Sequence, residues 1–249
     1  MNPACPRPFS ASPSLGAVLF DLDGTLVDTA PGMAQALNRL LISQGLEPLA
    51  HDTIRPHVSG GSSAMLRLAR TLTGLPCNEE PRWREAFLAH YAMTLTHEAR
   101  FFPGIVELLA ALQDWHVPWA IVTNKPHDLA ERLMGFLRPH LDGRAAAPCC
   151  LVGGGRTFRP KPDPAGILHA VSCCHALPQH AVMVGDDRRD IAAGHAAGVY
   201  TVAATYGYIP RQEQPASWQA HALCASPRAI LEHLATLGTQ LLPWPAAQD

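Results

Sequence analysis

Four apolar residues, Ala17 to Phe20, run straight into two aspartates separated by one leucine in the stretch GAVLFDLDGTLVDT, Gly16 to Thr29. A short apolar run rich in β-formers suits a strand of a parallel sheet buried on both faces. Side chains alternate in extended chain, so Leu22 turns back towards the core and Asp21 and Asp23 share one side. Two like charges in a partly desolvated place are unfavourable unless something positive sits between them. Any fold this chain adopts must bring a cation to the end of that strand. Gly24 permits a turn that directs backbone N–H groups towards an anion.

Further runs of the same kind are WAIV (Trp119 to Val122), CCLV (Cys149 to Val152), AVMV (Ala181 to Val184) and VYTVAA (Val199 to Ala204). Helix-periodic segments alternate with them: PHDLAERLMGFL, DPAGILHAVSCC and DIAAGHAAG. Pro126 at an early helical position and Gly198 just past a helix end fit start and stop chemistry. This alternation predicts an α/β fold with a doubly wound parallel sheet. From about Pro31 to Arg100 the rhythm changes, because MAQALNRLLISQGL, SSAMLRLARTLTGL and PRWREAFLAHYAMTL are helix-periodic with no strand between them. The expected organisation is an α/β core of residues 15–30 and 103–240 with a helical cap, 31–102, inserted. Residues 1–14, rich in Pro and Ser and without a signal-peptide apolar core, are expected to be a disordered leader.

With 249 residues, 47% hydrophobic, the chain can bury a sizeable core. A formal net charge of -2 supplies no basic field for nucleic acid or an anionic membrane surface, and no apolar stretch is long enough to span a bilayer. Seven cysteines include two vicinal pairs and no CxxC, which fits neither a zinc ribbon nor a secreted disulfide framework and points to reduced thiols in the cytoplasm. The thirteen histidines show no HxxxH or HExxH spacing and read as surface and packing residues.

Ligands of open α/β sheets gather at the carboxyl ends of the strands. There the sequence offers the carboxylates Asp21, Asp23, Asp186, Asp187 and Asp190, one lysine (Lys161), and the donors Thr25, Thr123 and Asn124. Oxygen ligands in excess of matching cations suit a hard divalent metal such as Mg²⁺. With a metal and a lysine holding phosphate oxygens, one aspartate of the DxD pair can attack phosphorus and the other can act as general acid and base.

DLDGT, TNK, KPDP and GDDRRD, in this order, resemble the haloacid dehalogenase superfamily, over about residues 15 to 230. The resemblance implies a magnesium-dependent phosphatase in which Asp21 is the nucleophile and Asp23 the general acid/base. Thr123 would bind the transferring phosphoryl group and Lys161 would stabilise nucleophile and phosphate. The implied metal ligands are Asp21, Asp186, Asp190 and Asp23 through its main-chain carbonyl, with Asp187 left unassigned. The helical insertion after DLDGTLVDT, with VTNKP, YGYIP and SGGSSAM, is similar to phosphoglycolate phosphatase-like members. SGG, GDDRRDI and YGYIP together look closer to N-acetylmuramic acid 6-phosphate phosphatases. That implies a small phosphorylated metabolite as the partner, with 2-phosphoglycolate as the alternative substrate; the chain itself is expected to be a monomer or weak homodimer.

Blander assignments stand beside these. Asp21 with Asp23 fits a helix cap and turn, Asp186 with Asp187 a helix start, Thr123 with Asn124 an N-cap pair, and Lys161 an exposed loop lysine. Arg55, Ser59, Gly60, Gly61 and Arg67 fit either substrate contacts or a connector with solvated charges. The PRWREAFLAHY aromatics fit the core of the cap better than a sugar platform. A phospho-receiver module shares the acids, Thr and Lys but is near half this length and lacks the second DxD acid. A hydrolytic dehalogenase also lacks that acid, and a sugar-phosphate mutase uses the same residues with water excluded.

Overall fold

The computed structural model describes residues 15–76, 80–141, 143–155 and 157–239. The expected leader, 1–14, and residue 240 of the expected core lie outside them. In chain order the elements begin with β1 (Ala17–Phe20), β2 (Val27–Asp28), α1 (Ala30–Ser43), α2 (His51–Ile54), α3 (Gly61–Thr73) and α4 (Glu80–Thr94). Next come β3 (Arg100–Phe101), α5 (Ile105–Asp114), β4 (Trp119–Pro126), α6 (His127–Leu137), β5 (Leu151–Gly154) and α7 (Ala165–Cys173). The chain continues through β6 (Ala181–Gly185), α8 (Arg188–Ala197), β7 (Tyr200–Ala204), β8 (Ala222–Cys224) and α9 (Pro227–Thr239).

Six strands form one sheet in the order β5-β4-β1-β6-β7-β8, every neighbouring pair parallel. The winding runs outward from β1 to β4 and β5, then reverses to β6, β7 and β8, so β1 sits where ligands of such sheets bind. Alternate residues of β1 serve two cores: Ala17 and Leu19 pack with Ile167 and Ala170 of α7 and Ala193 of α8, whereas Val18 and Phe20 join the cluster of α5 and α6. That two-sided burial is why the β1 run is continuously apolar.

Several boundaries differ from the sequence expectation, Val199 among them, since β7 starts at Tyr200. The CCLV run forms β5, which begins at Leu151 and extends to Gly154, because Cys149 and Cys150 form the approach to it rather than its start. Pro126 ends β4 with non-helical dihedrals, φ -48 and ψ 132, so the helix starts at His127. Gly198 does end α8 in the left-handed conformation. The sequence reading also lacked β8, three residues long with Leu223 exposed, and the two-residue β2–β3 ladder. That antiparallel ladder closes the base of the helical insertion, whose α1 and α4 lie against each other and share the bond from Thr94 Oγ1 to the Gly32 carbonyl at 2.8 Å. Among the described residues no helix is long and apolar enough to cross a membrane.

Asp28 ties this base together. Its carboxylate accepts from Arg55 Nη1 at 2.8 Å and from the Tyr208 hydroxyl at 2.7 Å. Burial alone would raise the Asp28 carboxyl, yet the hydrogen bonds of Tyr208 and Arg55 and the Arg55 charge outweigh it and hold the group below the usual range. A carboxyl lowered in the folded state contributes stability that is complete above its unfolded value and is lost as pH falls through its folded value. Between pH 5 and pH 3, roughly, the wild-type chain should therefore lose more melting temperature than Asp28→Asn. Parallel melting curves check this, and identical acid sensitivity in the two proteins would contradict it.

Candidate active site

Asp21 follows directly on β1, its N–H bonded to the Val184 carbonyl of β6 at 2.9 Å. Leu22 is fully buried, as the alternation requires. Gly24 has φ +90, and a side chain there would overlap Asp186 Oδ2, so glycine is what lets the DxD turn close onto β6. Carboxylate oxygens of Asp21, Asp186 and Asp190 then lie within 4.8 Å of one another, all three residues buried. The opening aspartate pair is thus part of a wider set of acids.

One cation at the end of that strand is Lys161. Its ammonium meets Asp21 Oδ1 at 2.8 Å, Asp190 Oδ1 at 2.6 Å and the Val122 carbonyl at 2.6 Å. Burial alone would lower that ammonium, but Asp190 and Asp21 outweigh it and hold it well above the ordinary lysine range. Lys161 is consequently a buried structural charge and not an exposed loop lysine. Asn124 fixes the Lys161 backbone by a reciprocal pair of hydrogen bonds, at 3.0 and 2.8 Å.

One lysine does not balance three carboxylates. Burial, with repulsion from Asp21 and Asp190, pushes Asp186 well above the usual range. Asp190 rises to about 7 through burial, against the pull of Lys161 and with repulsion from Asp21 and Asp187. An all-oxygen set with surplus negative charge fits a hard divalent cation. Asp186 Oδ2 accepts from Ser59 Oγ at 2.6 Å and Tyr208 N at 2.8 Å, and its Oδ1 from Thr25 Oγ1 at 3.0 Å.

Asp23 has separate partners. Its Oδ1 accepts from Thr29 Oγ1 at 2.6 Å and Lys125 Nζ at 2.8 Å, and its Oδ2 meets the same ammonium at 3.1 Å. Lys125 also donates to the hydroxyl of Tyr91 on α4 and lies 4.5 Å from that ring's centre. The inventory of one lysine is therefore corrected: Lys125 is a second, buried cation of the site. It follows Thr123 by two residues in β4, and both side chains are buried.

Asp187 caps α8, accepting from Arg189 N at 2.8 Å while its own N–H donates to Asp190 Oδ2 at 3.0 Å. Asp187 thus starts the helix, whereas Asp186 and Asp190 join the acid cluster. Thr123 and Asn124 are not an N-cap pair, because β4 runs on through both and Pro126 precedes the helix.

A cavity of about 410 Å³ opens over this edge. Of the expected site residues, Asp21, Asp23, Thr123, Asn124, Lys161 and Asp190 line it, as do Ser59, Gly60 and Gly61 from the helical insertion. Asp186 and Thr25 lie behind that lining, where Ser59 and Tyr208 cover Asp186. Arg55 and Arg67 are not among the lining residues; Asp28 and the Tyr208 ring hold Arg55, and Arg67 stands near His57. The sequence reading missed Met33, Val58, Phe87, Leu88 and Tyr91 as an apolar wall and Arg84 and Arg189 as its cations. Phe87 and Tyr91 are both buried core and cavity lining, so the core reading of those aromatics was half of their role. Arg189 also donates to the Ser59 carbonyl at 2.8 Å, tying insertion to core.

The sequence profile described as haloacid dehalogenase-like hydrolase matches residues 18–204. The chain is similar to an N-acetylmuramic acid 6-phosphate phosphatase of Pseudomonas aeruginosa, 39% identical over 88% of this chain and 95% of that protein. It is similar to a phosphoglycolate phosphatase of Xanthomonas campestris pv. campestris, 38% identical over 87% of this chain and 95% of that protein. Its fold superposes on a crystal structure described as a predicted phosphoglycolate phosphatase of Haemophilus somnus 129pt, with TM-score 0.75 and 25% identity over 88% and 98% of the two chains.

Proposed function

The chain belongs to the haloacid dehalogenase-like hydrolases and is a phosphoric monoester hydrolase of small phosphorylated compounds, and from that premise we propose that it hydrolyses N-acetylmuramic acid 6-phosphate through an aspartyl phosphate on Asp21. The observation that carries the chemistry is the Lys161 ammonium shared between Asp21 and Asp190 at the floor of the cavity.

In this reading Asp21 attacks phosphorus with its free oxygen while Lys161 holds Oδ1 and orients the carboxylate. Thr123 and the N–H groups of the DxD turn receive the phosphoryl oxygens. Asp23 gives a proton to the departing ester oxygen, then takes one from the water that attacks the aspartyl phosphate and frees inorganic phosphate. Thr29 and Lys125 hold Asp23 Oδ1 at 2.6 and 2.8 Å, whereas Oδ2 has only the longer 3.1 Å bond from Lys125, so Oδ2 is the oxygen that handles this proton. Asp21, Asp186 and Asp190 would hold Mg²⁺, with the Asp23 carbonyl as a further ligand; the cation would offset the charge of carboxylates and phosphate. The helices between β2 and β3 act as the cap.

The substrate assignment draws on the cavity and on the relatives. A volume of about 410 Å³ with an apolar wall suits a ring sugar bearing acetamido and lactyl groups, whereas a two-carbon acid would leave most of it to water. Arg84 supplies a cation on the same wall for the lactyl carboxylate. With Mg²⁺ present, kcat/KM for N-acetylmuramic acid 6-phosphate should exceed that for 2-phosphoglycolate by at least about tenfold. A preference for phosphoglycolate would overturn the substrate, and cleavage of only a generic phosphate ester would leave the chemistry without either substrate.

A further inference from the structure

Each aspartate of the DxD pair meets a lysine of the core, and the lysine on Asp23 is also bonded to the helical insertion. Lys125 Nζ holds Asp23 at 2.8 and 3.1 Å and donates to the Tyr91 hydroxyl of α4 at 2.5 Å. The Lys125 side chain is buried, and its ammonium carries rotatable donors on a flexible stem, so one carboxylate alone does not define where it points. A second, fixed partner does. Tyr91 is buried and stacks on Phe87 with ring centroids 6.1 Å apart. The end of α4 that carries it is tied to α6 by the bond from Arg132 Nη2 to the Ala92 carbonyl at 3.0 Å, and to α1 by the bond from Thr94 Oγ1 to the Gly32 carbonyl. Tyr91 therefore brings a stiff anchor from the insertion to a mobile cation of the core.

We propose that Tyr91 is a positioning residue of the phosphatase reaction, acting through Lys125 on Asp23; this rests on Asp23 being the acid that protonates the leaving group. As an Asp21 oxygen bonds to phosphorus and the ester P–O bond breaks, the Asp23 proton passes to the departing oxygen, and that transfer depends on where the carboxyl group lies. Thr29 Oγ1 holds Oδ1 from the start of α1. Lys125, held in turn by Tyr91, reaches both oxygens and sets the plane of the group. Without the hydroxyl, the ring still packs on Phe87 and still lies 4.5 Å from the ammonium, but the ammonium loses a hydrogen-bond partner and the carboxyl group shifts with it. Misplacing a catalytic group by about 1 Å costs up to about 10²-fold in rate. Tyr91 also lines the cavity, and a tyrosine that did only that would act on binding, alike for every leaving group of one size.

The test is kcat/KM with Mg²⁺ for p-nitrophenyl, phenyl and benzyl phosphate, esters of similar size whose leaving oxygens need a proton progressively more. That quantity reports the steps up to alcohol release, ahead of hydrolysis of the aspartyl phosphate. Tyr91→Phe should lower kcat/KM about tenfold more for benzyl than for p-nitrophenyl phosphate, and Asp23→Asn should show the same trend with a larger spread. Adding Tyr91→Phe to Lys125→Met should cost less than about twofold further on benzyl phosphate, because the two residues act in series. Equal losses on all three esters in Tyr91→Phe, beside a spread in Asp23→Asn, would overturn the positioning role and leave Asp23 as the acid. Absence of any spread in Asp23→Asn would remove the acid and the proposal with it. Full additivity of Tyr91→Phe and Lys125→Met would also overturn it. Tyr91→Phe keeps the packed ring, so its comparison across the esters stands by itself should Lys125→Met fold poorly.

Discussion

Asp21→Asn is expected to lower kcat by at least about 10⁴-fold with Mg²⁺ saturating, and to leave the melting temperature within a few degrees of wild type. Asparagine keeps the shape of the side chain but its amide cannot form an acyl phosphate. The fold has no comparable stake in the second carboxylate oxygen. Lys161 keeps Asp190 and the Val122 carbonyl as partners, the Asp21 N–H keeps its bond to Val184, and one member of a mutually repelling acid group is gone. Loss of activity with retained structure therefore separates nucleophile from scaffold. A variant that turns over within about tenfold of wild type would remove Asp21 from the chemistry.

Lys161→Met should cost both activity and stability. In the folded chain its ammonium is the direct partner of Asp21 and Asp190, and breaking a buried pair of this kind typically costs about 3–5 kcal/mol. For a chain of this size that corresponds to a fall of roughly 10 °C in melting temperature without divalent cation. Added Mg²⁺ should restore more of the melting temperature in the variant than it adds to wild type, because the cation then carries the counter-charge that Lys161 supplied. The kcat should fall about 10²–10³-fold even with Mg²⁺, since an oriented positive group at the developing phosphoryl charge has been removed. Melting curves with and without Mg²⁺ beside steady-state kinetics would decide it. A variant matching wild type in both would show Lys161 to be incidental.

Much of this site was legible because sheet chemistry repeats. Every apolar run ended in polar residues, and parallel strands bring such ends together, so Asp21, Thr123, Lys161 and Asp190 could be placed at one edge from their positions after strands. β8 escaped because three residues with an exposed leucine carry no buried-strand signature, and the β2–β3 ladder because two residues show no period. Lys125 stood within the quoted TNK and was legible there. Its partner Tyr91 was not, since that contact depends on how α4 folds back over β4. The bond from Ser59 to Asp186 and the Arg189 tie to Ser59 are likewise products of tertiary packing, across 127 and 130 residues of sequence. Arg55 shows the reverse limit. A basic residue in the insertion fits substrate by charge alone, yet a buried carboxylate at the base of that insertion claims it.

The most direct test of the account is acid quenching of wild-type enzyme during turnover with Mg²⁺ and N-acetylmuramic acid 6-phosphate, followed by borohydride reduction and peptide mass analysis. An aspartyl phosphate is reduced at its acyl carbon, so homoserine is expected at position 21, dependent on substrate. Reduction at Asp23 or any other carboxylate in place of Asp21 would contradict it.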